Sequence, residues 1–346
     1  MKALKTISIH SNTWDPKRLT QLVEALFARK VLIIGDVGVD RYTMGAVERI
    51  SPEAPVPVVR VEDEQHKLGL AANVADNIRT LGAQPFLLGL VGKDRCAQDF
   101  RFLLKKERID ASWLVVDATR RTVLKERIVS DRQQLLRVDY ESTAPVSAAI
   151  EKQILMKVAG LLRKVDGVIL QDYAKGMITE SLARGIFSAA RKAKKNVAVD
   201  PNSATPVSRY QGAFVLTPNT KEAEKLSSIG IHDEKTLKQA GQKILEKTGA
   251  THIVITRGKE GMAIFTRGSG EMKLIPTYVR EVYDVSGAGD TVISVMTLAL
   301  SAGAAIEEAA ILGNLAAGVE VGKRGTATVT RQEIRVALEF FGSVGV

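Results

Sequence analysis

Short, almost wholly apolar runs rich in β-branched residues stand at positions 31–34, 85–90, 165–170, 196–199, 213–216 and 252–256. Runs of this length without polar alternation predict strands buried on both faces. Helical patterns of apolar spacing lie between them, over 73–80, 97–107, 147–163, 181–194 and 234–247. Strand and helix in alternation predict an α/β fold with a mostly parallel central sheet flanked by helices on both faces. Two segments break the rhythm. Residues 44–61 and 122–139 carry extended, proline-containing or alternating patterns with no helix between strands, which predicts a small β-lid beside the main sheet. An amphipathic stretch near the start predicts an N-terminal helical extension over 1–30, and 31–346 reads as one large domain, since no linker or repeat divides it. In open α/β folds ligands bind at the carboxyl ends of the strands, so the loops after those ends are where chemistry is sought.

Composition narrows the classes. At 45% hydrophobic and 25% charged the chain is ordinary globular protein, and 49 Lys and Arg against 39 Asp and Glu give +10. That surplus suits anionic ligands such as nucleotides and sugar phosphates. The basic residues are spread along the chain, the cluster Arg191-Lys192-Ala193-Lys194-Lys195 reads as a solvated helix end, and aromatics are only 5%, so no nucleic-acid partner is expected. Cys96 is the sole cysteine, which excludes an intrachain disulfide and points to a reducing, cytoplasmic setting. The four histidines are scattered, so no zinc site is expected. The most apolar stretch, 291–306, is too short to span a bilayer and predicts a buried helix; no membrane partner is expected.

The richest chemistry is Asp284-Val285-Ser286-Gly287-Ala288-Gly289-Asp290-Thr291, directly before that buried helix. Glycines allow a tight turn and close approach to backbone, and a turn feeding a helix N-terminus gathers N–H groups and the positive dipole end around an anion. Asp290 beside such a spot fits a general base taking a proton from a hydroxyl during phosphoryl transfer. It fits a helix cap equally well.

This stretch resembles the C-terminal signature of the PfkB/ribokinase carbohydrate kinases. The resemblance implies a ribokinase-like fold, with Asp290 as catalytic base and the amides of Gly287, Ala288 and Gly289 as anion hole. It also implies Asp40, within Gly35-Asp36-Val37-Gly38-Val39-Asp40-Arg41, as a ligand of sugar hydroxyls, and Gly69 and Asn73 as further sugar contacts. Asn219 and Glu222, at NxxE spacing, match the element that places magnesium and phosphates, with Glu222 serving the metal; the same spacing is also that of a helix capping box. Thr256, Arg257, Gly258 and Gly261 match the nucleotide-side turn, and Asn314 the adenine contact. ATP and Mg2+ are the implied cofactors, with a monovalent cation an open addition.

Within the family, Ile50-Ser51-Pro52-Glu53-Ala54-Pro55-Val56-Pro57, Gln133-Gln134-Leu135-Leu136-Arg137, Asp172-Tyr173-Ala174-Lys175-Gly176 and Gly322-Lys323-Arg324-Gly325-Thr326 resemble the bacterial heptose 7-phosphate kinases. The likeness runs from Val31 to Ile334 and implies phosphorylation of D-glycero-β-D-manno-heptose 7-phosphate to the 1,7-bisphosphate, by a kinase without the nucleotidyl-transferring domain that follows it in many relatives. A phosphorylated acceptor needs cations remote from the point of transfer. Arg49, Lys125, Arg127, Arg137 and Lys175 are the candidates, with Asp172 a further substrate contact. Three departures stand out: Leu70 where a second glycine is usual, Asn202 in place of lysine, and an offset of the Arg132 turn. A kinase for another sugar or nucleoside, and a non-catalytic sugar-phosphate binder, remain as alternatives. Exposed lid edges predict a homodimer through the lid.

Overall fold

Val31 and Ile33 lie in one hydrophobic core and Leu32 and Ile34 in a second. Successive side chains of a strand point to opposite faces, so this split places a layer of helices on each side of the sheet. The fold is a computed structural model that describes residues 4–130, 133–279, 282–323 and 327–344. Its strands are β1 (Lys5–Ser8), β2 (Lys30–Gly35), β3 (Val37–Ile50), β4 (Pro57–Leu70), β5 (Gln84–Leu88), β6 (Leu90–Val91), β7 (Val115–Val116), β8 (Val123–Ser130), β9 (Gln133–Tyr140), β10 (Gly167–Gln171), β11 (Val197–Asp200), β12 (Val215–Leu216), β13 (His252–Thr256), β14 (Met262–Thr266) and β15 (Glu271–Ile275). The helices are α1 (Pro16–Ala25), α2 (Ala71–Thr80), α3 (Arg95–Lys106), α4 (Ala148–Leu161), α5 (Glu180–Lys192), α6 (Thr220–Ser227), α7 (Glu234–Thr248), α8 (Ala288–Ser301), α9 (Ile306–Glu320) and α10 (Arg331–Val344).

The central sheet runs β1-β15-β14-β13-β12-β11-β10-β2-β5, and only β14 opposes the common direction. The expected parallel sheet is therefore present, interrupted by the antiparallel β14 between β13 and β15. The amino-terminal segment departs from the helical extension read in sequence. It holds α1 but also β1, which pairs in parallel with β15, Lys5 opposite Glu271. Four residues make no pattern by themselves; the open edge of β15 supplies the backbone partners that turn them into a strand.

The lid is a second sheet of four strands, β4-β3-β8-β9. The sequence pattern predicts lid segments at 44–61 and 122–139, whereas β3 and β4 are 14 residues each and extend inward to Val37 and Leu70. The long apolar stretch forms α8, in which every residue from Asp290 to Ala299 is buried. No helix of the described residues is long and apolar enough to cross a membrane.

Candidate active site

Parallel neighbours β2, β10 and β11 end side by side at Gly35, Gln171 and Asp200. A Cβ at Gly35 would come 2.2 Å from the carbonyl oxygen of Gln171, so only glycine lets β2 leave the sheet here. Asp36 follows, buried, and accepts backbone N–H bonds from Tyr173 (3.2 Å), Lys175 (3.0 Å) and Met177 (3.3 Å). Burial pushes its carboxyl up to about 6 despite those donors. Asp36 thus pins the loop after β10. Asp172, named from sequence as a substrate contact, has the same duty: it accepts from the Ala174 amide (2.7 Å) and the Tyr210 hydroxyl (2.8 Å).

Asp290 is the third residue of α8, whose first turn follows Gly287 at φ 100° with no side-chain cap. The leading N–H groups of a helix have no partner within it, so this turn of Gly287, Ala288 and Gly289 presents amides beside the carboxylate. One oxygen of Asp290 accepts from the Tyr173 hydroxyl (2.6 Å) and the Gln171 amide (3.1 Å), and the other from Asn73 (2.7 Å). Gln171 also donates to Asp200 (2.6 Å). Burial raises Asp290 to about 6, with Tyr173 and Asn73 pulling the other way. Asp200 is driven well above the usual carboxylate range by burial, then by the charges of Glu222 and Asp290.

The residues expected to hold the sugar stand on α2 and the lid. Asn73 stands in the first turn of α2, entered through Leu70 at φ 58° and ψ −137°. This is the position where glycine is usual, and the backbone keeps the glycine-type conformation with leucine in place. Asp40 projects from β3, and a Cβ at Gly69 would fall 2.9 Å from its carboxylate. Arg127 pairs with Asp40 at 2.7 Å, and Lys125 lies 5.8 Å over the Tyr173 ring with its charge disfavoured by burial. Lys175 is held by Glu141 at 2.7 Å. Arg137 is half exposed and paired with Asp139, and Arg49 lies exposed toward the outer end of β3, away from Asp290. Arg132 and residues 324–326 lie outside the described residues.

On the nucleotide side, Asn219 caps α6 and closes a reciprocal capping box with Glu222. The NxxE spacing is thus a helix cap, and its Glu222 carboxyl, raised by burial, adds to the charge felt by Asp200. Asn219 bridges to Thr256, and Thr220 reaches the Thr256 carbonyl, so the two nucleotide motifs are adjacent. Arg257 is ion-paired with Glu260 in the turn, and Gly258 (φ 55°) and Gly261 (φ 78°) supply its left-handed positions. Asn314 is buried, its amide donating to the Pro276 carbonyl at 2.6 Å. For magnesium, the donor set of Glu222 near Asp200 suits a hard cation that keeps several waters. Gln171 and Asp200 have no role in the sequence reading, and Tyr173 stands there only within the motif Asp172 to Gly176. Their position at the ends of consecutive buried strands was the available signal.

Residues 28–333 match the family described as pfkB family carbohydrate kinase. The chain is 42% identical over 320 residues to the bifunctional protein HldE of Pelobacter propionicus, and 42% over 322 residues to that of Geobacter sulfurreducens. Each alignment covers 92% of this chain but only 65% of the relative, so the chain spans about two thirds of the length of these curated proteins. Among solved structures, Arabidopsis thaliana ribokinase with ribose and ATP superposes with a TM-score of 0.72 at 19% identity, covering 91% of this chain and 100% of that one. Escherichia coli phosphofructokinase-2 in complex with potassium gives 0.74 at 18%, covering 91% and 99%. With the ribokinase-like sheet, the carboxylate at the head of α8 and a family match over nearly its whole length, this chain belongs to the pfkB family of carbohydrate kinases.

Proposed function

We propose that the chain transfers the γ-phosphoryl group of ATP to the anomeric hydroxyl of D-glycero-β-D-manno-heptose 7-phosphate. The observation that carries this reading is the Asp290 carboxylate, buried at the head of α8, oriented by Asn73, Tyr173 and Gln171, and raised to about 6. Asp290 takes the proton of the attacking hydroxyl while the new O–P bond forms and the bond to ADP breaks. The amides of Gly287, Ala288 and Gly289 stabilise charge on the group in transfer. Asp40 and Asn73 orient the sugar, and Lys125, Arg127, Arg137 and Lys175 are the cations we assign to the resident phosphate; Arg49, exposed toward the outer end of β3, is not among them.

Glu222, with Asp200 close by, would hold Mg2+ through water, and the ion would neutralise triphosphate charge. Thr256, Arg257, Gly258 and Gly261 border the nucleotide, with Asn314 bracing the segment at Pro276. A monovalent cation belongs to the proposal as well, in line with the potassium in the phosphofructokinase-2 neighbour. We place the reaction in the cytoplasm, where ATP and a reduced Cys96 both belong. ADP release with heptose 7-phosphate, ribose, fructose and adenosine tests the reading. Preference for a neutral sugar or for adenosine overturns the substrate, and ligand binding without turnover overturns the kinase.

A further inference from the structure

This inference rests on the reading of the acceptor as a sugar phosphate. Strand register fixes what the inner face of the lid presents. Asp40 on β3 is opposite Lys67 on β4 and Lys125 on β8; two residues further out, Tyr42 is opposite Arg127, and Arg127 is opposite Arg137 on β9. Residues opposite one another, and residues two apart, project to the same face. That face looks toward Tyr173, over whose ring Lys125 lies, and so toward Asp290.

Two features of it bear on a ligand. Arg127 and Arg137 are like charges directly opposite each other, and each is offset by a carboxylate of the lid itself, Asp40 for Arg127 and Asp139 for Arg137, which an entering anion would replace. Asp40, which is 7% exposed and has to accept sugar hydroxyls, already has one oxygen bonded to Arg127 at 2.7 Å. The Arg127 guanidinium lies 5.2 Å and the Lys67 ammonium 5.7 Å from the Tyr42 ring centre, so the two cations flank that ring from the strands on either side of β3.

We propose that the phosphate of the acceptor unlocks the site as well as anchoring the sugar. A phosphate dianion entering beside Tyr42 is bound by Arg127, Arg137 and Lys67, draws Arg127 away from Asp40, and leaves that carboxylate to grip the sugar. Lys67 becomes a specificity-determining residue, and the Arg127–Asp40 pair a lock against unphosphorylated sugars. Two residues along a strand span about 7 Å, which puts the dianion one row beyond the hydroxyls held at Asp40.

Turnover of heptose lacking the 7-phosphate, with and without added phosphite dianion, tests this. Phosphite is expected to raise kcat/KM for the neutral heptose at least about 10-fold and saturably, an effect of about 1.4 kcal/mol. Arg127→Gln is expected to abolish the phosphite effect while raising the phosphite-free rate, because Asp40 is released, and Lys67→Gln to weaken phosphite binding. No phosphite effect in an enzyme that phosphorylates heptose 7-phosphate overturns the unlocking alone. Equal losses in Arg127→Gln for neutral and phosphorylated heptose also overturn it, by making Arg127 merely structural. An enzyme that ignores heptose 7-phosphate but turns over another sugar overturns the substrate assignment, and phosphite added to that sugar still reads the lock.

Discussion

In the mechanism we propose, Asp290 would serve as base only when ionised, and burial raises its carboxyl to about 6. We therefore expect kcat/KM to rise with pH through that value and level off above about 7. A profile already flat from about pH 5 would remove the shifted carboxylate from the rate law. The same shift has a thermodynamic sign. An acid raised from 3.8 to about 6 on folding binds its proton more tightly in the folded chain, so stability falls as pH climbs from the lower value through the upper. Asp290→Asn should keep ATP binding, lose roughly 10²–10⁴-fold in turnover and gain roughly 1–3 kcal/mol of stability near pH 8. Calorimetry beside steady-state kinetics separates this from the helix-cap role, for which removing the charge would cost stability and spare turnover. Glu320 offers a comparison. It is fully buried in α9 and is lifted from 4.5 to about 8, chiefly by burial, with the Ala327 backbone N–H and the Lys323 charge pulling the other way. The gain in melting temperature from Glu320→Gln should widen with pH between those values and then stay constant. A gain independent of pH would mean that the carboxyl has a compensating partner.

Among the elements, α2 carries the clearest local conflict between residue and backbone. Leu70 precedes it in a conformation that favours glycine, at a cost of roughly 1–3 kcal/mol, yet buries its side chain to 6% exposure. Burial of that side chain returns about 1.5–3 kcal/mol, so Leu70→Gly should change unfolding free energy by less than about 1 kcal/mol. Leu32→Gly, in an unstrained strand, should lose at least about 3 kcal/mol. Equal losses at the two positions in urea unfolding would remove the strain argument. Only the family resemblance pointed to a glycine at this position; that leucine could hold a glycine-type backbone there was not legible, because the surrounding packing sets that balance. Likewise the capping-box and magnesium readings of Asn219 and Glu222 were both written in four residues. The fold makes the box, and the Glu222 charge is felt at Asp200, so the cap leaves room for the metal role we propose.

Across the whole molecule, the lid leaves Val47, Ile50, Val56, Val61, Leu135 and Leu136 exposed, and β4 and β9 are its open edges. We propose that two chains pair through this surface, and light scattering should give twice the 37.5 kDa chain mass. Leu136→Lys should shift the population to monomer, and a wild type that is monomeric at high concentration ends the proposal. What the sequence determined by itself was local: alternating strands and helices, the buried α8, the glycine turn ahead of Asp290 and the existence of a lid, since each is encoded within a window of a few turns or strands. Tertiary structure decided which distant groups meet. Asn73, Gln171 and Tyr173 reach Asp290 across separations of 217, 119 and 117 residues, and β1 is a strand only because β15 offers it an edge. Register within the lid likewise placed Arg127 on Asp40 and Lys67 beside Tyr42. Such meetings depend on strand order and pairing, and no periodicity along one chain carries them.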